Sequence, residues 1–187
     1  MVQGRTLVLL EHNNLFIFKF SIKKMSKSRG IQEKIKSFEE LLSLLPSIRE
    51  RGTIVWTNGC FDIIHKGHIR HLFESSRFGD YLIVGLNSDS SVRALKGPDK
   101  PKMPEEERAE IVSAIGCVDY VLIFPEIDTT RYLSAFHPNV YAKGGEYALD
   151  TINQEERRIV ESYRGRIAFT GDKVNSSTEV IERIRGQ

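Results

Sequence analysis

The chain has 187 residues, 40% of them apolar, which suits one α/β domain with a single core and a tail. Its formal net charge of +2, from 27 basic and 25 acidic residues, argues against a surface built to coat nucleic acid and points to small-molecule partners. Cys60 and Cys117 lie far apart without metal-ligand spacing, so they read as reduced thiols of a cytoplasmic protein.

Residues 1–30 read as a flexible N-terminal extension and residues 31–187 as the folded domain. Two apolar patches, at 7–10 and 15–18, are separated by Glu11, His12, Asn13 and Asn14, so neither is long enough to span a membrane or form a signal core. Met25 opens a more ordinary hydrophilic start, which suggests an upstream start codon for residues 1–24; the N-terminal mass of native protein decides that point. Residues 24–28 spell KMSKS, which resembles the phosphate-binding loop of class I aminoacyl-tRNA synthetases. There it follows the histidine motif, whereas here it precedes one and sits in the extension, so a solvated basic tail is the stronger reading.

Ser37 and Glu40 have capping-box spacing, and Leu41, Leu44 and Leu45 give the helix that follows an apolar stripe. The organising stretch is 53–79, TIVWTNGCFDIIHKGHIRHLFESSRFG. A β-rich run ends at Asn58 and Gly59, after which Ile69, Leu72, Phe73 and Ser76 recur at helical spacing until Gly79. The first turn of a helix has unpartnered N–H groups and a partial positive charge, so it attracts phosphate. His65 and His68 flank Gly67 at that entrance, so both imidazoles can face one ligand while the glycine lets it approach the backbone.

A continuous apolar run at 81–86 predicts a strand covered on both faces, giving a right-handed parallel unit with the organising strand and helix. Residues 87–103 carry Arg93, Lys96, Lys100 and Lys102 among Gly97, Pro98 and Pro101, the composition of a mobile cationic loop. Its place beyond a strand's C-terminal end makes it a candidate phosphate lid led by Lys96. Pro104 and Glu105–Glu107 start a helix with Ile111, Val112 and Ile115 expected inward, and Arg108 lies on it. Further strands are expected at 119–124, 140–143 and 166–170. Asp128 can cap a helix through Phe136, and a second helix is expected over about 152–163. Lys143, Gly144 and Gly145 end the fourth strand, where an ammonium can enter the crevice beside bare backbone. Ser176, Ser177 and Thr178 open a last helix and can cap it or bind phosphate. The expected fold is a Rossmann-like, doubly wound five-stranded parallel sheet in order 3-2-1-4-5, with the HKGH and KGG turns facing one crevice.

These motifs resemble the cytidylyltransferase-like nucleotidyltransferases. The likeness spans about 37–185, through NGCFDIIHKGH at 58–68, NSD at 87–89, RALKGP at 93–98, EEERAEIVSAIGCVDYV at 105–121, AKGGEY at 142–147 and SSTEVIERI at 176–184. Within that family the set is most similar to D-glycero-β-D-manno-heptose 1-phosphate adenylyltransferases, which make ADP-heptose for lipopolysaccharide. The resemblance implies ATP and Mg²⁺ as nucleotide and ion, a sugar phosphate as acceptor, and a homodimer. It assigns His65, His68, Lys96 and Thr178 to the triphosphate and its transition state. Nucleotide contacts fall to Asn58, Gly59, Cys60, Phe61, Asp62, Gly67, Asn87, Asp89, Lys143, Gly144, Ser176 and Ser177. Arg108 and Glu146 are implied at the substrate, although Glu146 stands where the family has aspartate. No dedicated metal cage is legible, and Asp62 reads equally as a residue that fixes the turn. Residues 171–174, GDKV, lack the arginine found in the RTEG sequence of glycerol-3-phosphate cytidylyltransferases, which favours ATP. A CTP-dependent cytidylyltransferase and a non-catalytic nucleotide-binding module are the alternatives.

Overall fold

The computed structural model describes residues 30–171 and residue 186, together with the backbone of 6–11 and 14–19. Strands β1 (Thr6–Glu11) and β2 (Asn14–Lys19) pair antiparallel with each other, so the expected flexible extension contains a hairpin. Helix α1 (Ile31–Lys34) is short. Helix α2 (Phe38–Arg49) begins with the capping box expected at Ser37: the Ser37 hydroxyl accepts from the Glu40 N–H at 3.1 Å, and the Glu40 carboxylate accepts from the Ser37 N–H at 2.8 Å.

The domain then alternates strand and helix. β3 (Ile54–Gly59), α3 (Lys66–Ser76), β4 (Tyr81–Asn87), α4 (Asp89–Lys96), α5 (Glu105–Ala114) and β5 (Tyr120–Phe124) form its first half. α6 (Thr130–Phe136), β6 (Val140–Lys143), α7 (Gln154–Ser162) and β7 (Arg166–Phe169) form the second. The five strands make one parallel sheet in the order β5-β4-β3-β6-β7. Leaving out the hairpin, this is the 3-2-1-4-5 winding expected from sequence, and the order of strand addition reverses between β3 and β6.

Strand pleating sorts the core onto two faces. Ile54, Trp56, Ile83, Leu122 and Tyr141 point to one side and pack with α2, α6 and α7 through residues such as Leu41, Tyr132 and Val160. Val55, Val84, Val121, Val140 and Ala142 point to the other, against Leu72 of α3 and Ala109 and Val112 of α5. Gly85 is required beside the only tryptophan: a Cβ there would lie 2.5 Å from the Trp56 ring, which stacks on Tyr132 at 5.7 Å between centroids.

Three local expectations need correction. Along α3 only Leu72 of the apolar stripe is buried, while Ile69 and Phe73 are exposed, because the inward face of this helix carries histidines instead. On α5 the inward set is Arg108, Ala109, Val112 and Ser113, with Ile111 exposed. The first half of the supposed mobile loop at 87–103 is α4, since the Ser88 hydroxyl caps it and Gly97, at φ 98°, ends it. No helix among the described residues is long and apolar enough to cross a membrane.

Candidate active site

Between β3 and β6 only Val55–Val140 and Trp56–Tyr141 pair. Beyond them Thr57, Asn58 and Gly59 pair with β4 alone, so the two central strands part at their C-terminal ends. A cleft of about 1060 Å³ opens there. Its wall includes Asn58, Gly59, Cys60, Phe61, Asp62, His65, Gly67, His68, Asn87, Lys96, Lys143, Gly144 and Glu146. Ligand crevices of open α/β sheets form at such a reversal.

The HKGH turn is built from the chain leaving β3. Phe61 adopts φ 46°, a strained value for a bulky residue, and its buried ring offsets the strain by filling the space beneath the turn. That ring lies 5.3 Å from the His68 ring and props it from below. His65 is the N-cap of α3, its Nδ1 accepting from the Gly67 N–H at 3.1 Å. With Nδ1 accepting, the neutral ring carries its proton on Nε2 as a donor. The His65 and His68 rings stack at 3.8 Å between centroids and 26°. Burial first, then repulsion from Lys96 and from the His65 and His71 rings once they are protonated, lowers the His68 pKa to about 3; the Ile63 backbone opposes this. His68 is therefore neutral at pH 7.

Facing this turn, Lys143 ends β6 with its ammonium 4.8 Å from the Tyr147 ring centre and 5.3 Å from that of Tyr141. Burial lowers its pKa, against the attraction of Glu156 and Glu146. The KGG turn is bare where it must be: a Cβ on Gly145 would lie 2.4 Å from the Gly171 carbonyl oxygen. Lys96 stands beside the Cys60 thiol, whose pKa is raised by burial and partly restored by Lys96 and Arg108.

Two candidates, Asp62 on the cleft wall and Arg108 behind it, are taken up by contacts with neighbouring loops. Asp62 is buried, and one carboxylate oxygen accepts from the N–H groups of Lys102 at 2.6 Å and Met103 at 3.1 Å. The other oxygen pairs with Lys100 at 3.2 Å, so Asp62 pins the loop after α4. Arg108, expected at the substrate, is fully buried and absent from the cleft wall. Its guanidinium donates to the carbonyls of Cys60, Asn87 and Met103 and pairs with Asp89 at 2.7 Å, tying the ends of β3 and β4 to α4 and α5. Asp89 is likewise committed to that pair and stands off the cleft wall. Ser176, Ser177 and Thr178 lie outside the described residues.

The structure adds cleft residues not singled out from sequence. Glu156 of α7 is buried, accepting from the Thr129 N–H at 3.1 Å and the Tyr141 hydroxyl at 2.7 Å. No local pattern could reveal it, since its partners are distant in the chain. His71 also lines the cleft, hydrogen-bonded to Thr57 and Thr170. Its position three residues after His68 was a readable signal for the same helix face. Among the described residues no group of three or more His, Cys, Asp or Glu side chains is placed to hold a metal ion.

In solved structures, the chain is similar to a lipopolysaccharide core biosynthesis protein from Thermoplasma volcanium, at 25% identity and TM-score 0.57, over 66% of this chain and 99% of that one. It shares its fold with a pantoate-β-alanine ligase from Francisella tularensis, at 13% identity and TM-score 0.53, over 82% and 78% of the two chains. Among curated proteins it is 44% identical over 154 residues to a bifunctional protein HldE of Syntrophotalea carbinolica, and 38% identical over 165 residues to that of Pseudomonas syringae pv. syringae. These matches cover 81% and 87% of this chain but 31% and 34% of the relatives, so the chain spans about a third of their length. The cytidylyltransferase-like family model matches residues 56–183, from β3 through the SSTE sequence, and the chain belongs to that family.

Proposed function

We propose that the protein transfers AMP from ATP to a sugar 1-phosphate, D-glycero-β-D-manno-heptose 1-phosphate, giving ADP-heptose and pyrophosphate in the cytoplasm. The observation that carries this reading is the stacked His65–His68 pair at the N-terminus of α3, facing Lys143 across the parted strands. The similarity to HldE proteins and to a lipopolysaccharide core biosynthesis protein supports the choice of acceptor.

The acceptor phosphate is already anionic, so no side-chain nucleophile is needed. One of its oxygens attacks the α-phosphorus, the bond from that phosphorus to the bridging oxygen breaks, and pyrophosphate leaves with the electron pair. The protein's task is alignment and charge stabilisation. His65 Nε2–H, with its ring held by the Gly67 N–H, and the positive end of the α3 dipole are assigned to phosphate oxygens. His68, neutral when the site is free, strengthens its hydrogen bonding as negative charge builds beside it. Lys96 meets the leaving pyrophosphate with Thr178, which is assigned from sequence alone, and Lys143 holds the substrates on the opposite wall. Mg²⁺ would enter with the triphosphate and shield its charge, since no group of three or more His, Cys, Asp or Glu side chains among the described residues is placed to hold it.

The test is pyrophosphate release with Mg²⁺ and heptose 1-phosphate, comparing ATP with CTP. His68→Ala should lower kcat roughly 100- to 1000-fold, the usual cost of losing one transition-state donor. A loss under about tenfold would remove His68 from that role. Turnover with CTP instead of ATP would move the reading to a cytidylyltransferase, and nucleotide binding without turnover on any acceptor would move it to a binding module.

A further inference from the structure

We infer that His71 is a positioning residue, a strut that fixes the distance between the HKGH turn and the KGG turn. Its role rests on the nucleotidyl-transfer reading of the cleft, because only a reaction sensitive to alignment needs the strut.

The argument begins where β3 and β6 separate. Thr57 is the first β3 residue past the last pair with β6, and it points to the α3 side of the sheet, as Val55 does. Thr170 follows β7, and alternation from Ala168 places it on the same side. Between them on that face β6 presents Ala142, a side chain small enough to leave room for a ring. The His71 imidazole spans the gap, with Nε2 2.8 Å from the Thr57 hydroxyl and Nδ1 2.9 Å from the Thr170 hydroxyl.

The hydrogen bonds fix the tautomer. The Thr170 hydroxyl donates to the Lys143 carbonyl at 3.4 Å, so it accepts from His71 Nδ1–H. Nε2 then accepts from the Thr57 hydroxyl. A directional chain thus runs from β3 through the ring to the carbonyl of Lys143. One turn further along α3, Glu74 accepts from the Gly171 N–H at 2.6 Å, a second tie between the same elements. The Gly145 backbone lies against Thr170 and Gly171, too close for a Cβ. His68, His71 and Glu74, spaced three apart, therefore put one phosphate-facing residue and two struts on one helix face. Burial lowers the His71 pKa, which keeps the ring neutral with one nitrogen accepting and one donating.

Replacing His71 by Leu removes the chain but touches neither phosphate nor acceptor in this assignment. A slackened crevice misplaces reacting atoms, for which a shift of about 1 Å can cost on the order of 100-fold in rate. His71→Leu should lower kcat about 10- to 100-fold while the KM for ATP moves less than about threefold. Thr170→Val should lower kcat in the same way and have little further effect in the His71→Leu background, since the two act as one unit. If His71→Leu does not fold, Thr170→Val and Thr57→Val carry the same comparison.

Side-chain nitrogen NMR of the intact chain supplies a readout independent of turnover, and the Nδ1–H tautomer of His71 is expected. An Nε2–H tautomer, an unchanged kcat, a loss confined to the KM for ATP, or fully multiplicative effects of His71→Leu and Thr170→Val would each overturn the strut. Silence of the parent protein with ATP and heptose 1-phosphate would instead overturn the acceptor assignment, leaving the strut to be judged by its tautomer.

Discussion

Arg108 offers the sharpest separation between a substrate residue and a keystone. Arg108→Met keeps length and apolar packing but removes every donor. Three carbonyls, of Cys60, Asn87 and Met103, lose their partner, and Asp89 loses its ion pair. Removing one member of a buried pair costs about 3–5 kcal/mol. For a chain of this size each kcal/mol lowers Tm by about 2–4 °C, so the expected drop is about 6–20 °C. Arg108→Lys keeps the charge, yet one ammonium cannot reach four acceptors arranged for a planar fork, so it should fall between parent and Met variant. Thermal melting followed by circular dichroism gives the stability, and turnover well below the melting range gives the activity. A Met variant that melts within about 3 °C of the parent would refute the keystone, given the cost expected for a broken buried pair. Raised acceptor KM with unchanged melting would return Arg108 to the substrate.

His68 predicts a pH-dependent stability. Its folded pKa of about 3 lies below the ordinary value of 6.5, so the unfolded chain takes up a proton that the fold refuses. This contribution is complete above about pH 6.5 and is lost as pH falls toward 3, at up to about 1.4 kcal/mol per unit. Urea unfolding between pH 4.5 and 6.5 should therefore flatten by about one proton's worth in His68→Gln, and an unchanged slope would contradict the neutral-histidine site. Asp62→Ala removes two backbone acceptor contacts and an ion pair from the loop after α4, so tryptic cleavage after Lys96 and Lys102 should speed up about tenfold or more. An equal cleavage rate would mean that the loop is held by something else. Gly85→Ala forces a methyl against the Trp56 ring and should cost about 1–3 kcal/mol with a shift in tryptophan emission; unchanged melting and emission would show that the ring can move aside.

Much of the fold was legible in local pattern. Ser37 and Glu40 announced a helix start because capping is settled within four residues, and the apolar run at 81–86 announced a strand covered on both faces. The HKGH sequence marked the phosphate-facing helix end, since the chemistry of a cap and a glycine is local. The corrections fall where side chains answer to distant partners. Ile69 and Phe73 repeat at helical spacing yet face outward, because His68 and His71 occupy the face toward β3 and β7. Lys96 ends α4 instead of lying in a mobile loop, because the Ser88 hydroxyl caps that helix and Gly97 stops it, and the glycine and proline composition of the segment does not show where a helix begins.

The sequence by itself determined the alternation of strands and helices, their right-handed parallel winding and the position of the two glycine turns, all consequences of short-range periodicity and connection handedness, while the strand order was expected from the doubly wound fold class. Only the tertiary structure decided what each polar residue does. Arg108 and Asp62 became supports, while His71 and Glu156 joined the cleft wall, because burial and hydrogen-bond partners arise from segments tens of residues apart. A charge in sequence has no neighbour in space until the strands part, and it is the parting of β3 from β6 after Trp56 and Tyr141 that turns two motifs into one site.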